Sequence, residues 1–491
     1  MSTQPVIAGF HPDPSLCRVG QDYWLATSSF EYVPGVPVFH SRDLVHWEQV
    51  GNALERPAQL STAGLVSNRG VYAPTLRHHD GRFWLITTDV SAGDGLGHLI
   101  VTTSDPRTGW SDPVRTPDAL GIDPDLTWDE DGRCYLTWAG FAEGSSQILQ
   151  VELDPLTGRA LTEPRGLWSG TGLASPEAPH LYRVGDWWYL LIAEGGTERG
   201  HCASVARSRQ VTGPFEGAPT NPVLTHRSTG WPVQSTGHAD LVELADGTWA
   251  AVHLGVRTAG WTPQFHVNGR ETFLTGIDWV DGWPVFVEDR FEVEPQDHSF
   301  VDTFGADAPL HPRWVCPGAH PGTFTSHDED GTLRLHAAPA PEPEPRVLAV
   351  RAQDPRWHVQ ARVDVAHGTA RLLVRLDARH WYAVEADSDG VRVRVQVGPF
   401  AQVVHEVPGV GSTVVLHARC TDPAVGPQGF ADAPDDVELG FDGPDGYVRL
   451  AALDGRYLST EVAGGFTGRV VGVQAVTGTV ALHEMRYSTV R

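Results

Sequence analysis

Three places in this 491-residue sequence set a carboxylic acid beside a proline at the head of an apolar run. They are Asp13-Pro14 in GFHPDPSL, Asp123-Pro124 in GIDPDL and Pro176-Glu177 in SPEAPHLY. Two acids flanking one bond, with a third tuning their protonation, suit the hydrolysis of a glycosidic bond. One must hold a proton near neutral pH and give it to the leaving oxygen, and another must be ionised to activate water. A lone Asp-Pro is ordinarily turn chemistry, because the residue before proline is pushed to extended backbone and aspartate bonds its own main chain. Asp105-Pro106, Asp112-Pro113 and Asp154-Pro155 fit that reading. Asp13, Asp123 and Glu177 are set apart by occupying equivalent places in a repeat. These residue types alone do not apportion the roles among them.

The repeat is a polar or small motif, an apolar strand, a Gly-containing turn and an aromatic-rich return strand. It appears at 9–25, 71–85, 121–136, 175–190 and 237–250. The return-strand aromatics Trp24, Trp84, Tyr135, Tyr189 and Trp249 are 60, 51, 54 and 60 residues apart. Several short strands per repeat at this period predict a five-bladed β-propeller. In such a ring each innermost strand starts near the axis, so acids distant in sequence meet in one cavity. The expected leading residues are Asp13, Tyr72 with Pro74, Asp123 with Asp125, Glu177, and His238 with Asp240.

Lys+Arg number 36 against 61 Asp+Glu, a formal charge of −25, which argues against nucleic acid and anionic membrane as partners. No lysine is present, which removes Schiff-base and P-loop chemistry. Five scattered cysteines without metal-ligand spacing predict neither a zinc site nor a disulfide framework. With no signal-like N-terminus and no long apolar run, a cytoplasmic location is expected. Gly 53 and Pro 37 punctuate short β-branched runs, so the chain is all-β. Residues 1–295 form the propeller, and 279–295 is the crossing. Residues 300–491, with alternating strands such as 356–366, 369–377, 380–387 and 390–398, form an antiparallel β-sandwich of the concanavalin-like kind. The run 337–345, AAPAPEPEP, reads as a stiff loop. The stretch 447–462 reads as strand without an acid pair, which assigns the chemistry to 1–295.

Phe30, Trp47, Tyr72, Trp231 and Trp261 could stack on sugar faces, against the commoner role of filling a core. His238 could touch a sugar or, through water, an ion in the pore, or make a structural hydrogen bond. Arg270 could clamp hydroxyls or orient a carboxylate, or close the ring by pairing with Glu271 or Asp289.

At GFHPDPS, GIDPDLTWDEDG and SPEAPHLY the chain resembles glycoside hydrolase family 43, in its two-domain β-xylosidase and α-L-arabinofuranosidase members. The likeness continues through SSFEYVPGVPVFHSRDLVHWE (28–48), AEGGT (193–197), GHADLVE (237–243), GRET (269–272), DGWPVF (281–286) and LHPRW (310–314). The resemblance implies hydrolysis with inversion. It makes Asp13 the general base, Glu177 the general acid and Asp123 the residue that raises the acid's pKa and positions it. Asp125 is an extra acid close by, set aside by register in the motif. Phe30, Tyr72, His238 and Arg270 would surround the terminal sugar, with Tyr72 standing where many relatives have tryptophan. The second domain would wall the pocket, though the aromatic that relatives extend from it is not identifiable. No cofactor is required, and a structural calcium in the pore is compatible with the family. The second domain leaves room for a homo-oligomer.

The implied activity is exo-hydrolysis releasing terminal pentose from short oligosaccharides, β-D-xylose ahead of α-L-arabinofuranose. A non-catalytic carbohydrate-binding propeller would have lost one acid, and all three are present. A retaining sucrose-type enzyme would hold its acids about 5–5.5 Å apart, against roughly 6.5–9.5 Å for inversion.

Overall fold

The computed structural model describes residues 3–91, 97–142, 145–305, 309–329, 331–340, 342–409, 411–427 and 429–490. Five antiparallel sheets follow one another from Ser15 to Val287. Their innermost strands are Ser15–Val19, Thr75–His79, Ile122–Trp128, Glu177–Val184 and Val233–Glu243. Each touches the inner strands of both neighbouring blades, the fifth meeting the first, so the ring is closed. The N-terminal segment fastens that closure, because Ile7 bridges Thr272 of the fifth blade and His11 N donates to Arg270 O at 3.1 Å. All five marker aromatics lie on the second strand of their blades. There they fill the spaces between blades, as Trp24 does against Phe83, with ring centroids 5.5 Å apart.

Inner strands do not begin as regular ladders. Register shifts fall between Ile122 and Asp125, Glu177 and His180, and Gly237 and Asp240. The residues at these irregular starts carry positive φ: Asp123 at 55°, Ala178 at 53° and His238 at 49°, with Asp13 at 57° ahead of the first strand. Extended backbone is expected before proline, yet Asp13, Asp123 and Ala178 all precede one. Left-handed backbone also escapes the proline ring and turns the side chain out of the strand.

Strand matching corrects one expectation. Ser15, Thr75, Asp125, His180 and Asp240 open the regular ladders by pairing with Ala26, Ile86, Thr137, Leu191 and Val252. Counting back two residues gives Asp13, Ala73, Asp123, Ala178 and His238. Glu177 is therefore one position out of step, and Ala178 holds the place of Asp13 and Asp123.

The outer strand Trp283–Val287 completes the fifth blade, and Phe300–Asp302 pairs into the second unit. That unit is a two-sheet sandwich joined by one strand, Val470–Thr489. Its first half pairs with Leu348–Arg351 and Gly368–Asp377, and its second with Leu333–His336 and Trp357–Asp364. Alternating apolar residues such as Val359, Ala361 and Val363 meet Leu372, Val374 and Val384 in a continuous core. The stretch read as strand over 447–462 ends at Asp454. It continues as a 3-10 turn, Gly455–Leu458, and a helical turn, Thr460–Ala463.

The two units share a seam. Cys316–Pro317 pairs with Tyr32–Val33, and Phe10 and Tyr32 pack with Val315, Ala349 and Leu373. Arg375, wholly buried, donates to Tyr32 Oη and Glu344 Oε2, both at 2.5 Å. Glu344 belongs to the proline-rich run expected as a loop. Its Pro341 lies outside the described residues, and Glu344 itself is buried as the counter-charge of Arg375.

Candidate active site

Asp13 is buried at one mouth of the propeller. Its Oδ1 accepts from Arg270 Nη1 at 3.0 Å and lies 3.4 Å from His238 Nδ1, while Oδ2 accepts from Ser28 Oγ at 2.5 Å. Burial pushes this carboxyl up, but Arg270, with His238 and the Ser28 hydroxyl, more than offsets it. Asp13 is held below the ordinary carboxylate range. It is an ionised acid with a fixed orientation.

The other two acids behave oppositely. Asp123 Oδ2 accepts from Ala178 N at 3.2 Å, which ties the third blade to the residue next to Glu177. Burial, then repulsion from Glu177 and Asp13, pushes Asp123 well above its usual value. Glu177 is only partly buried, and burial together with the Asp13 charge raises it to about 7. Like charges this close cannot both ionise cheaply, so the Asp123–Glu177 pair retains a proton near neutral pH. The sequence placed all three acids at one centre, and one ionised acid opposite a proton-holding pair is the result.

Arg270 pairs with Asp13 rather than with Glu271 or Asp289, and its Nη1 also donates to Thr197 Oγ1 at 2.8 Å. Glu271 is taken instead by Arg257, at 2.6 and 2.7 Å. Burial lowers the His238 imidazole to about 3, so it stands beside Asp13 as a neutral ring.

Phe30 is almost fully buried, and Tyr72 meets it edge to face at 5.5 Å. The ring stacked on Phe30 is Phe466 of the second unit, 5.8 Å away with planes 15° apart. Arg270 lies 5.6 Å from both the Phe30 and Phe466 centroids. Phe466 is an aromatic of the second unit that sequence reasoning, which expects that unit to wall the pocket, does not identify. It sits in a tongue between Ala463 and Val470, held by Phe466 N donating to Asn68 Oδ1 at 2.9 Å and Arg469 N to Val267 O at 3.0 Å. The motif GGFTGR (464–469), one aromatic among glycines, was the available signal. Among the other aromatics singled out, Trp47 donates to Leu44 O, Trp231 is half exposed beside His226, and Trp261 stacks on Phe430.

One layer deeper, Asp125 and Asp240 point into the pore rather than the pocket. Arg77 fills the space between them, 2.9 Å from Asp125 Oδ1 and 2.9 Å from Asp240 Oδ2. Asp240 also accepts from Ser15 Oγ at 2.7 Å and Tyr182 Oη at 2.5 Å. The carboxylates of Asp125 and Asp240 are thus taken by a guanidinium and are not free to ligate a calcium ion. Among the described residues no group of three or more His, Cys, Asp or Glu is arranged to hold a metal.

The sequence model described as "Glycosyl hydrolases family 43" matches residues 2–284, and "Beta xylosidase C-terminal Concanavalin A-like domain" matches 301–485. A Butyrivibrio fibrisolvens protein named xylosidase/arabinosidase is 44% identical over 297 residues, 58% of this chain and 56% of that one. The chain thus spans little more than half of that relative. A Bacteroides ovatus protein named non-reducing end alpha-L-arabinofuranosidase is 34% identical over 506 residues, 96% of this chain and 90% of the relative. A solved structure titled xylan beta-1,4-xylosidase, from Bacillus halodurans, superimposes with a TM-score of 0.86 at 28% identity over 99% of both chains. The family match spans nearly all of the ring that gathers the three acids, and similarity to the B. ovatus protein runs on through the sandwich. The chain therefore belongs to glycosyl hydrolases family 43 and is a glycoside hydrolase.

Proposed function

We propose that the protein is an inverting exo-glycosidase that releases single pentose units, β-D-xylose foremost, from the non-reducing ends of short oligosaccharides. The carrying observation is the electrostatic split within one pocket. Asp13 is held ionised by Arg270, and Asp123 and Glu177 together keep a proton. Asp13 acts as general base on water, Glu177 donates to the leaving oxygen, and Asp123 holds the acid protonated and placed. Phe466, Tyr72 and Arg270 wall the pocket so that a terminal sugar, not a chain interior, is the object that fits.

Relatives carry xylosidase, arabinosidase and arabinofuranosidase names. The B. ovatus relative, similar through both units, favours α-L-arabinofuranose as a second substrate of the same site. Rates on 4-nitrophenyl β-D-xylopyranoside and α-L-arabinofuranoside decide the order of preference. Proton NMR of the first-formed sugar tests inversion, and a retained anomer rejects this mechanism. A reducing, cytoplasmic setting accords with five cysteines that are all free and buried. Cell fractionation tests it.

A further inference from the structure

Behind the segment that carries Asp13, a second cavity of about 270 Å³ opens along the seam. His11 reaches it from the propeller and His298 from the connection, while His311, Arg313 and Arg351 reach it from the sandwich. Asp297 is the one carboxylate on its wall among the described residues, and its Oδ1 accepts from Ser299 N.

Arg351 ends the strand Leu348–Arg351 and is 5% exposed. Its guanidinium lies over the Phe10 ring, 4.5 Å from the centroid. Its Nε and Nη2 have no hydrogen-bond partner among the described residues. The three other buried arginines each meet a carboxylate: Arg270 meets Asp13, Arg375 meets Glu344 and Arg469 meets Asp435. Glu31, close enough to act on Arg351, is turned elsewhere, accepting from Asn68 N and facing Arg375 at 3.6 Å. A buried cation without a counter-charge is costly, and an anionic ligand beside it would supply the missing charge. The other basic groups on the wall have carboxylates nearby, His298 lying 2.9 Å from Asp354 and Asp302 acting on both His311 and Arg313, which leaves Arg351 as the buried cation without a paired carboxylate. Burial, then Arg351 and His298, hold the His11 imidazole well below its usual value. Arg313, on the same wall, lies over Phe300 and donates from Nε to His311 Nδ1 at 3.0 Å.

We propose that this cavity is a binding site for a small oxyanion, of phosphate or short carboxylate chemistry. Arg351 is its buried counter-charge, and the anion ties the propeller to the sandwich. The site is separate from the catalytic pocket and does not depend on which sugar is cleaved.

Titration of the full chain with sodium phosphate, and separately with sodium acetate, is read by calorimetry and thermal unfolding, with sodium chloride at matched ionic strength as control. A saturable rise of a few degrees in Tm is expected in at least one oxyanion and not in chloride. The stronger arm identifies the ligand chemistry. Saturating xylose is included because Arg270 could attract an anion in the catalytic pocket. The response must survive xylose. Arg351→Met should abolish it while keeping pentosidase activity within about twofold, since the lost contact is a charge-assisted bond to the ligand. Should Arg351→Met fail to fold, Arg313→Gln should weaken the response roughly tenfold. A wild type without a saturable response, a response lost in xylose, or one intact in the variants overturns the proposal.

Discussion

Asp13 and Glu177 share a pocket but not an environment, and their difference gives the clearest predictions. Asp13→Ala and Glu177→Ala should each lower kcat on a xyloside by about 10²–10⁴-fold with the fold intact by circular dichroism. With a very good leaving group, Glu177→Ala should recover far more than Asp13→Ala. Equal losses would mean that the acid has been misassigned. The kcat/KM profile should be bell-shaped. Its alkaline limb should lie near about 7, where Glu177 loses its proton, and its acid limb below the ordinary carboxylate range, where Asp13 gains one. An Asp123 carboxylate that helps hold the acid's proton predicts that Asp123→Asn moves the alkaline limb to lower pH, whereas burial and Asp13 alone would leave it near about 7. Stability carries the same sign. Glu177 and Asp123 bind protons in the folded state above the pH at which the unfolded chain has released them, so stability falls as pH rises from the usual carboxylate range through about 7. Asp123→Asn should consequently raise Tm by a few degrees at pH 8 and by less at pH 5. Thermal scans at both values check this. The acids were legible in the sequence because they head repeated strands. Their charge states were not, since these depend on burial and on Arg270 arriving from the opposite end of the ring.

Among the elements, the inner strands and one tongue decide the geometry. A left-handed residue at the head of the inner strand turns Asp13 and Asp123 toward the axis. The fourth blade keeps the kink at Ala178 and carries its acid one residue earlier, where glutamate's extra methylene extends the reach. Sequence spacing could show that the blades repeat but could not reveal this offset, because a bulge changes which residue faces the axis without changing the motif. The tongue depends on close backbone approach. A Cβ at Gly468 would lie 2.2 Å from Asn268 O. Gly468→Ala should therefore push Phe466 out of the pocket and raise KM about tenfold or more, with a far smaller effect on Tm. Phe466→Ala should mimic it by removing the ring alone. Steady-state kinetics of both variants test the coupling, and an unchanged KM in Phe466→Ala would remove the sandwich from substrate binding.

At the scale of the molecule, the ring carries its own central cation. Arg77→Met would leave Asp125 and Asp240 buried and unpaired, at a cost of about 3–5 kcal/mol. A large loss of Tm is expected, read by thermal scans of the variant and the native enzyme. An unchanged Tm in Arg77→Met would contradict the assignment of Arg77 to that place. The amino-acid order by itself determined the five blades and the all-β sandwich, and it singled out three acids that the fold brings near one another. Apolar alternation, turn residues and repeated motifs are local, and closure follows from their number. Only the tertiary structure decided the rest: Phe466 of the second unit lying on Phe30, Arg77 between two acids 115 residues apart, and Arg351 buried over the Phe10 ring. Each is a contact between segments whose separation along the chain leaves no periodic trace, and each is fixed by packing of the ring against itself or against the sandwich.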